Sequence, residues 1–520
     1  RSGGTPGAAA AAGATPTPGG PPAAADASAT EGGGLPPAGP TLRAGGAGAP
    51  PLAREIDRIL PRWRGARWGV LVVSLERGDT LYARAPDLAL APASNLKLVT
   101  TAAALHHLGP DYRYRTFLLA DGPVRDGTLH GDLILYGTGD PGIGDRFQRT
   151  KTAAFEALAD SLVAQGIHTV TGDLVGDGTY FAGPDRAPGW RSEDLNDWFA
   201  APVSALSFNE NVVTVRVVPA AAPGRSPAVE LIPDAAVLDI ENVARTVTRR
   251  PRPNLWLDRT APEAPVHIDG EMRVGGRDAW RQLTIPDGPL YAASALRSVL
   301  EARGIEVRGA TRALEADDDA ASRVTGRRAW DGLDEPRVLA VHISPPLLDY
   351  LRVVNHESHN FFAEAVFKTV GRVVEGDGSF AGGARVVRRF LRDRVGVGED
   401  GLRVLDGSGL SEANRATAGG LVQLITWVEH SPLAGAFEET LPVAGRRRGL
   451  RRMYRTRAAG NLRAKTGTID GVSALSGIVR SADGERLAFA ILVNGVRSTS
   501  AAKGVEDRIG VALARFRRSP

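Results

Sequence analysis

Three short patterns in this chain could support acyl transfer. Ser94–Lys97 reads S-x-x-K, Ser358–Asn360 reads S-x-N, and Lys465–Gly467 reads K-T-G. The chain has only five lysines, and arginine carries the rest of its positive charge. A guanidinium stays protonated, whereas a buried or cation-flanked ammonium can lose its proton near neutral pH. We therefore interpret Lys97 and Lys465 as residues kept for chemistry.

Each pattern contains residue types that acyl transfer needs. The reaction requires a deprotonated serine oxygen, a base and donors for a tetrahedral oxyanion. Ser94 is the candidate nucleophile, and Lys97 is its base if the like charge of Lys465 disfavours protonation of Lys97. Ser358 can relay a proton to the leaving amine. Asn360 can hold both Lys97 and a substrate amide.

The third pattern suits substrate binding. Lys465 and the hydroxyls of Thr466 and Thr468 can bind a carboxylate, and we place Gly467 in the same substrate-binding segment. The backbone N–H groups of Ser94 and Thr468 form the predicted oxyanion hole, since one lies at a helix N-terminus and the other at a strand edge.

Hydrophobic periodicity predicts the elements that position these residues. Trp68–Ser74 with Thr80–Arg84, and Ala474–Arg480 with Leu487–Val493, each read as two strands around a turn. We predict one sheet that receives both ends of the chain. The S-x-x-K pattern opens a helix that stops before Gly109-Pro110, and its i, i+3 spacing puts Ser94 and Lys97 on one face.

The order and spacing of the motifs resemble a known family. About 260 residues separate the first motif from the second, and further segments match: Gly137–Pro141, Ala201–Leu206, Asn209–Asn211 and Asp406–Ser411. Over residues 55 to 515 the chain is similar to class C low-molecular-mass penicillin-binding proteins, of the penicillin-binding protein 4 type. The compact serine β-lactamases lack such an insertion.

The resemblance implies an α/β fold with an antiparallel sheet between helices, interrupted by a β-rich insert. We expect a Gly/Ala/Pro-rich disordered tail over 1–50 and a β-lactamase-like penicillin-binding domain over 51–115 plus 344–520. The insert would comprise a domain over 116–199 plus 286–343 and a nested domain over 200–285. Helices are expected near 152–165 and 292–303 of the insert.

The resemblance also implies a D-alanyl-D-alanine carboxypeptidase/endopeptidase that acts on peptidoglycan peptides and is acylated by β-lactam antibiotics. It suggests a pocket for a diaminopimelate-type side chain, with Asp194, Phe199 and Arg415 at matching positions. An arginine can grip a carboxylate in bidentate fashion while an acid pairs with an ammonium. His359 is a departure, because the family often has Asp there. We expect its side chain to point away from substrate.

Other functions remain open from the sequence. The fold could serve a β-lactamase or an esterase, or a non-catalytic wall-binding scaffold, although intact Ser94 and Lys97 argue against a scaffold. His356–His359 lacks the H-E-x-x-H spacing of zinc helices, so we predict no metal and no cofactor. The arginine-rich run at 446–457 could hold an anionic wall polymer or be a solvated lip near the site.

Composition limits the setting. The net charge of +4 is small for this length and the arginines are spread along the chain, so we predict no nucleic-acid partner. No segment is apolar enough for a transmembrane span. There is no cysteine, so disulfides and thiol chemistry are excluded. We expect an exported protein of the periplasm or outer cell envelope, with at most peripheral membrane or wall association. The first residues would be left after signal cleavage, or be an arbitrary start point.

Overall fold

The computed structural model describes residues 49–235, 238–248, 255–314, 337–447 and 449–518. The predicted tail lies outside these residues apart from its last two, where the first helix begins. The helices are α1 Ala49–Ile59, α2 Lys97–His107, α3 Ala153–Ala164, α4 Gly288–Ala302, α5 Leu347–His356, α6 Asn360–Glu375, α7 Phe380–Phe390, α8 Ala418–Glu429, α9 Ala434–Thr440 and α10 Thr499–Arg515.

One antiparallel sheet is built from both ends of the described chain. Its strands are β1 Arg67–Ser74, β2 Thr80–Arg84, β22 Arg463–Ile469, β23 Val472–Arg480 and β24 Arg486–Asn494. They are ordered β2-β1-β24-β23-β22, which leaves β22 at an edge. Strand β1 pairs with β24 along its whole length, from Arg67 opposite Asn494 to Ser74 opposite Leu487. The prediction of one sheet that receives both ends is confirmed.

Helices cover both faces of this sheet, and alternate side chains of its strands enter two different cores. On one face Leu71, Val73 and Leu492 join a core with helices α2, α5, α6 and α8. On the other face Val70, Val72 and Ile491 join a second core with α1 and α10. Continuous apolar runs, rather than alternating ones, are the sequence pattern of a sheet covered on both sides.

The segment between α2 and α5 contributes most of the remaining strands. They are β3 Arg115–Asp121, β4 Val124–Arg125, β5 Thr128–Leu129, β6 Asp132–Gly137, β7 Thr169–Val170, β8 Leu174–Asp177, β9 Val212–Val218, β10 Ala228–Ile232, β11 Ile240–Asn242, β12 Arg245–Val247, β13 Trp256–Asp258, β14 Val266–Asp269, β15 Glu271–Arg273, β16 Ala279–Thr284, β17 Glu306–Val307, β18 Thr311–Ala313 and β19 Arg337–Ile343. A short pair, β20 Leu402–Arg403 and β21 Arg415–Ala416, follows later in the chain.

Strand pairing brings the two ends of this insert together. Strand β3 at its start pairs antiparallel with β19 at its end, in a sheet ordered β18-β8-β6-β3-β19. Strands β7 and β8 after α3 pair in parallel with β17 and β18 after α4. The nested strands β9, β10 and β16 form a separate sheet. The exact domain boundaries given above stay predictions.

Candidate active site

Ser94 lies where the chain enters helix α2. A 3₁₀ turn over Ala93–Leu96 carries it, and the α-helix begins at Lys97, so the predicted helix start holds with a tighter first turn. Ala93 is fully buried at φ +46°, a left-handed conformation that costs a non-glycine residue energy. The surrounding packing holds Ala93 in this conformation and thereby fixes the direction of the chain at Ser94.

Lys97 is fully buried and its Nζ has three polar neighbours. Oγ of Ser94 lies at 3.0 Å, Oδ1 of Asn360 at 2.7 Å and the carbonyl oxygen of Ser408 at 2.8 Å. Asn360 donates from Nδ2 to the carbonyl of Phe199 at 2.9 Å, which turns its Oδ1 toward Lys97. Two of these neighbours, Oδ1 of Asn360 and the carbonyl oxygen of Ser408, can only accept hydrogen bonds. A neutral Lys97 amine that donates to both of them keeps its lone pair for the Ser94 hydroxyl.

Burial lowers the pKa of Lys97 to about 7, while the carboxylates of Glu364 and Asp406 oppose this shift. The sequence argument assigned the shift to the charge of Lys465, but desolvation is its leading cause. Burial also lowers the pKa of Lys465 well below the ordinary value, and the neighbouring charge of Lys97 adds to that effect. Near neutral pH an uncharged Lys97 is therefore readily populated.

The S-x-N motif lies at the junction of helices α5 and α6. Ser358 adopts φ +59°, and Asn360 is the first residue of α6. Nζ of Lys465 donates to Oγ of Ser358 at 2.9 Å. The three motifs thus meet as two Ser–Lys pairs, which Asn360 joins through its contact with Lys97.

The K-T-G motif lies on edge strand β22. Lys465 is fully buried, and Thr466 accepts from its Nζ at 3.0 Å through the backbone carbonyl. The carbonyl of Lys465 accepts from Nδ2 of Asn95 at 3.2 Å, which ties the strand to the turn that carries Ser94. A side chain at Gly467 would begin 2.7 Å from the carbonyl oxygen of Pro92. Thr468, two residues beyond Thr466, is exposed.

Glu364 is a site residue that the sequence reasoning missed. It lies one helical turn after Asn360 on α6 and is fully buried. Its carboxylate accepts from the backbone N–H groups of Gly407 at 2.6 Å and Ser408 at 2.9 Å. Burial and the nearby charge of Asp406 raise the pKa of Glu364 to about 8. Its i, i+4 spacing from Asn360 was the signal available in the sequence.

His359 points away from the two Ser–Lys pairs, toward the insert. Its Nε2 lies 2.9 Å from Oε2 of Glu210, whose other oxygen accepts from Nε of Arg146 at 2.7 Å. Burial alone would raise the pKa of Glu210, but its contacts with His359 and Arg146 lower it to about 2. Next to this cluster is a cavity of ≈ 210 Å³, lined by Arg146, Trp198 and Glu210 among others. No motif serine or lysine lines it, so we do not identify it with the reaction centre.

The residues predicted to grip a diaminopimelate-type side chain lie in two neighbouring segments. Asp194 is half-buried in a short 3₁₀ turn, and burial raises its pKa. Arg415 is exposed and donates to the carbonyls of Glu412 and Asn414. The segments approach each other where Nη1 of Arg191 lies 3.6 Å from Glu412. No direct pairing of Asp194 with Arg415 is seen in the described structure.

No metal cluster accompanies the site. Among the described residues, no group of three or more His, Cys, Asp or Glu side chains could hold a metal ion. The same residues contain no helix that is long and apolar enough to cross a membrane.

The sheet, the helix that presents Ser94 and the buried Lys97 define a serine-type hydrolase of the Ser–Lys class. The model of the D-Ala-D-Ala carboxypeptidase 3 (S13) family matches residues 52–516. The chain belongs to this family, which confirms the resemblance stated from the motifs.

Relatives cover most of the chain. It is 34% identical over 488 residues to a D-alanyl-D-alanine carboxypeptidase of Actinomadura sp. (strain R39), which covers 91% of this chain and 86% of the relative. It is 26% identical to the D-alanyl-D-alanine carboxypeptidase DacB of Haemophilus influenzae, over 85% of this chain and 88% of that protein.

The fold has been seen in crystals of a similar protein. Penicillin-binding protein 4 from Haemophilus influenzae matches with a TM-score of 0.72 at 24% identity, covering 89% of this chain and 99% of that one. A β-lactam complex of that protein matches with a TM-score of 0.67. This likeness confirms the predicted α/β fold class.

Proposed function

We propose that the chain hydrolyses the terminal D-alanyl-D-alanine bond of peptidoglycan stem peptides through an acyl-enzyme on Ser94. The observation that carries this proposal is the arrangement around Nζ of Lys97, which faces the Ser94 hydroxyl and two acceptors. Family membership supplies the substrate class. D-centred cross-links, which present a similar peptide bond, would be cleaved by the same steps.

The first step transfers the Ser94 proton to Lys97 as Oγ attacks the carbonyl carbon. Backbone N–H groups of Ser94 and Thr468 stabilise the resulting oxyanion. The C–N bond then breaks, and the proton that Lys97 took from Ser94 passes through Ser358 to the leaving D-alanine nitrogen, which returns Lys97 to its neutral form. Water hydrolyses the ester, with Lys97 again as the base.

The edge position of β22 fits an extended peptide. An edge strand presents backbone groups that can pair with an added strand. Lys465, Thr466 and Thr468 would bind the terminal carboxylate, whose charge favours protonation of the Lys465 amine. Gly467 lets this strand lie against the turn that carries Ser94.

Asp194, Phe199 and Arg415 would form the pocket for the side chain of the stem peptide. The approach of segment 191–194 to segment 412–415 supports this role, because it brings an acid and a guanidinium to one rim. A zwitterionic side-chain end carries both an ammonium and a carboxylate, and therefore matches these two charges.

β-Lactam antibiotics would acylate Ser94 in the same way. Their amide carbonyl would occupy the oxyanion hole, and the ring-opened product would stay attached because no small leaving group departs. We also propose that the protein is exported and works at the cell envelope, since its substrate class is peptidoglycan.

Release of D-alanine from an N-acylated tripeptide that ends in D-Ala-D-Ala tests the proposal. We expect release by the wild type, none by Ser94→Ala, and none from the matching L-Ala-L-Ala peptide. Rapid hydrolysis of penicillin without D-alanine release would instead identify a β-lactamase, and turnover of simple esters alone would identify an esterase.

A further inference from the structure

Three segments that are distant in sequence form one layer over the sheet face opposite α2. We call residues 49–67, 446–457 and 497–517 the cationic layer; Arg448 lies outside the described residues. Helices α1 and α10 pack together within it. The middle segment joins α10 through Arg452, whose Nη2 lies 2.8 Å from Glu506. Leu52, Met453 and Ile509, one from each segment, share the core beneath.

The charge of the protein is concentrated in this layer. Its three segments hold 17 of the 63 Lys and Arg residues but only four of the 59 Asp and Glu residues. They therefore carry a net charge of +13, while the rest of the chain carries −9, within a total of +4. The small overall charge thus conceals a strong positive charge in these three segments.

Three of the four acids of the layer are already engaged. Glu506 is fully buried and accepts from Ser473 at 2.6 Å as well as from Arg452. Asp507 lies 2.9 Å from Nε of Arg452. Asp57 accepts from the hydroxyl of Tyr82 at 2.7 Å. These acids leave little negative charge to neutralise the exposed guanidinium groups.

Four arginines of the middle segment are free to meet a ligand. Arg447, Arg451, Arg455 and Arg457 are exposed, and none has an ion pair with a carboxylate in the part of the chain that the structure describes. Tyr454 among them is 66% exposed, with the guanidinium of Arg455 5.3 Å from its ring centre. In α1 and its continuation, Arg54, Arg58, Arg62 and Arg64 are exposed beside the partly exposed Trp63.

We propose that the cationic layer binds the anionic surface of a phospholipid bilayer. Guanidinium groups bind phosphate oxygens in bidentate fashion, and clustered basic residues are attracted to anionic lipid. Exposed Trp and Tyr side chains are the types that lie at membrane interfaces, which favours a bilayer over a purely polar polymer. Because α2 lies on the other side of the sheet, Ser94 stays accessible while the layer is bound.

Co-sedimentation of the full chain with lipid vesicles tests this inference. We expect binding to vesicles of phosphatidylcholine mixed with phosphatidylglycerol, weakening as salt increases, and little binding to phosphatidylcholine alone. A layer variant should bind at least about tenfold more weakly, since each basic residue near the surface contributes separately. It carries R447Q, R451Q, R455Q and R457Q.

A control variant removes the same charge elsewhere. It carries R125Q, R225Q, R273Q and R277Q, all at exposed positions of the insert, and should bind vesicles like the wild type. Both variants should be acylated by benzylpenicillin at the wild-type rate, which shows that they fold. Equal loss of vesicle binding in both variants would overturn the proposal.

A second arm separates lipid from polymer. The wild type could fail to bind the anionic vesicles and yet bind immobilised poly(glycerol phosphate) through the layer arginines. That result would assign the layer to a wall polymer and contradict the membrane proposal. Binding to neutral and anionic vesicles alike would also contradict it, because the layer offers charge rather than a broad apolar surface.

Discussion

In the proposed mechanism, the protonation state of Lys97 controls whether Ser94 can attack. Its ammonium form has three donors, and its neutral form has two donors and a lone pair. Asn360 and Ser408 supply two acceptors, so the neutral amine satisfies both and still faces the Ser94 hydroxyl. The site therefore favours a neutral Lys97 amine as the base, and this base needs no neighbouring histidine.

The first prediction concerns the pH dependence of acylation. With a pKa of about 7 for Lys97, the acylation rate should fall as pH drops below 7, because the amine becomes protonated. Lys97→Arg should lower the rate by about 10²-fold or more, since guanidinium stays protonated. Stopped-flow acylation by benzylpenicillin measures both effects, with Lys503→Arg on α10 as the matched control. An active Lys97→Arg enzyme would contradict the assignment of the base.

The second prediction concerns Glu364. Because its pKa is raised to about 8, the Glu364 carboxyl is largely protonated where Lys97 titrates, so Glu364→Gln should leave the acid limb of the acylation profile in place. The maximal rate should fall, because Gly407 and Ser408 donate to different carboxyl oxygens and an amide has only one accepting oxygen. Glu375→Gln, on the same helix but distant from the site, should change neither the limb nor the maximal rate. An acid limb that moves to lower pH in Glu364→Gln would show instead that Glu364 is ionised beside Lys97.

At the scale of elements, the contact between edge strand β22 and the turn that carries Ser94 sets the spacing of the site. The strand approaches so closely that a methyl group at Gly467 would meet backbone atoms of Pro92 and Asn95. A backbone neighbour cannot rotate away as a side chain could. The glycine of K-T-G is thus required by packing, independently of any contact with substrate.

The third prediction follows from this contact. Gly467→Ala should push β22 from the turn, destabilise the fold by roughly 1–3 kcal/mol and slow acylation by at least about tenfold. Gly435→Ala is the matched control, because nothing lies within 4 Å of a side chain there. It should keep full activity and unfold at the same or a slightly higher temperature. Thermal unfolding and acylation rates of both variants decide the matter, and a fully active Gly467→Ala would refute the spacing argument.

Local sequence patterns predicted the strands and the helix that carry the site. Both hairpins and helix α2 follow from short apolar runs and from turn residues such as Gly109-Pro110. By contrast, Glu364 is a carboxylate on a helix, which is usually a solvated side chain, and only tertiary packing shows that it is buried. The pairing of His359 with Glu210 was hidden for the same reason, since the two residues lie on distant segments.

At the scale of the whole molecule, the insert contributes directly to the site. The carbonyl of Phe199 orients Asn360, and Nε1 of Trp190 donates to Asp406 at 3.1 Å. Residues far apart in sequence therefore hold the Lys97 partners in place. Sequence spacing predicted that an insert exists, but not that it supports the reacting groups or that three segments combine into a cationic layer.

The fourth prediction concerns Arg415, which would form the side-chain pocket together with Asp194 and Phe199 of the insert. Arg415→Ala should reduce kcat/KM for a diaminopimelate-containing peptide by about tenfold, because a charge-assisted contact to its carboxylate is lost. Its acylation by benzylpenicillin, which lacks that side chain, should not change. The exposed Arg403 on the adjacent strand offers the matched variant Arg403→Ala. Equal kinetics of Arg415→Ala and Arg403→Ala on the peptide would remove Arg415 from the pocket.

The central claim is that Ser94 forms the acyl-enzyme, and the intact mass of the protein after brief exposure to benzylpenicillin tests it most directly. The account predicts a mass increase of one penicillin on the wild type and no increase on Ser94→Ala, with the adduct located on the peptide that contains Ser94. An adduct that persists in Ser94→Ala, or that maps to another residue such as Ser358, would contradict it.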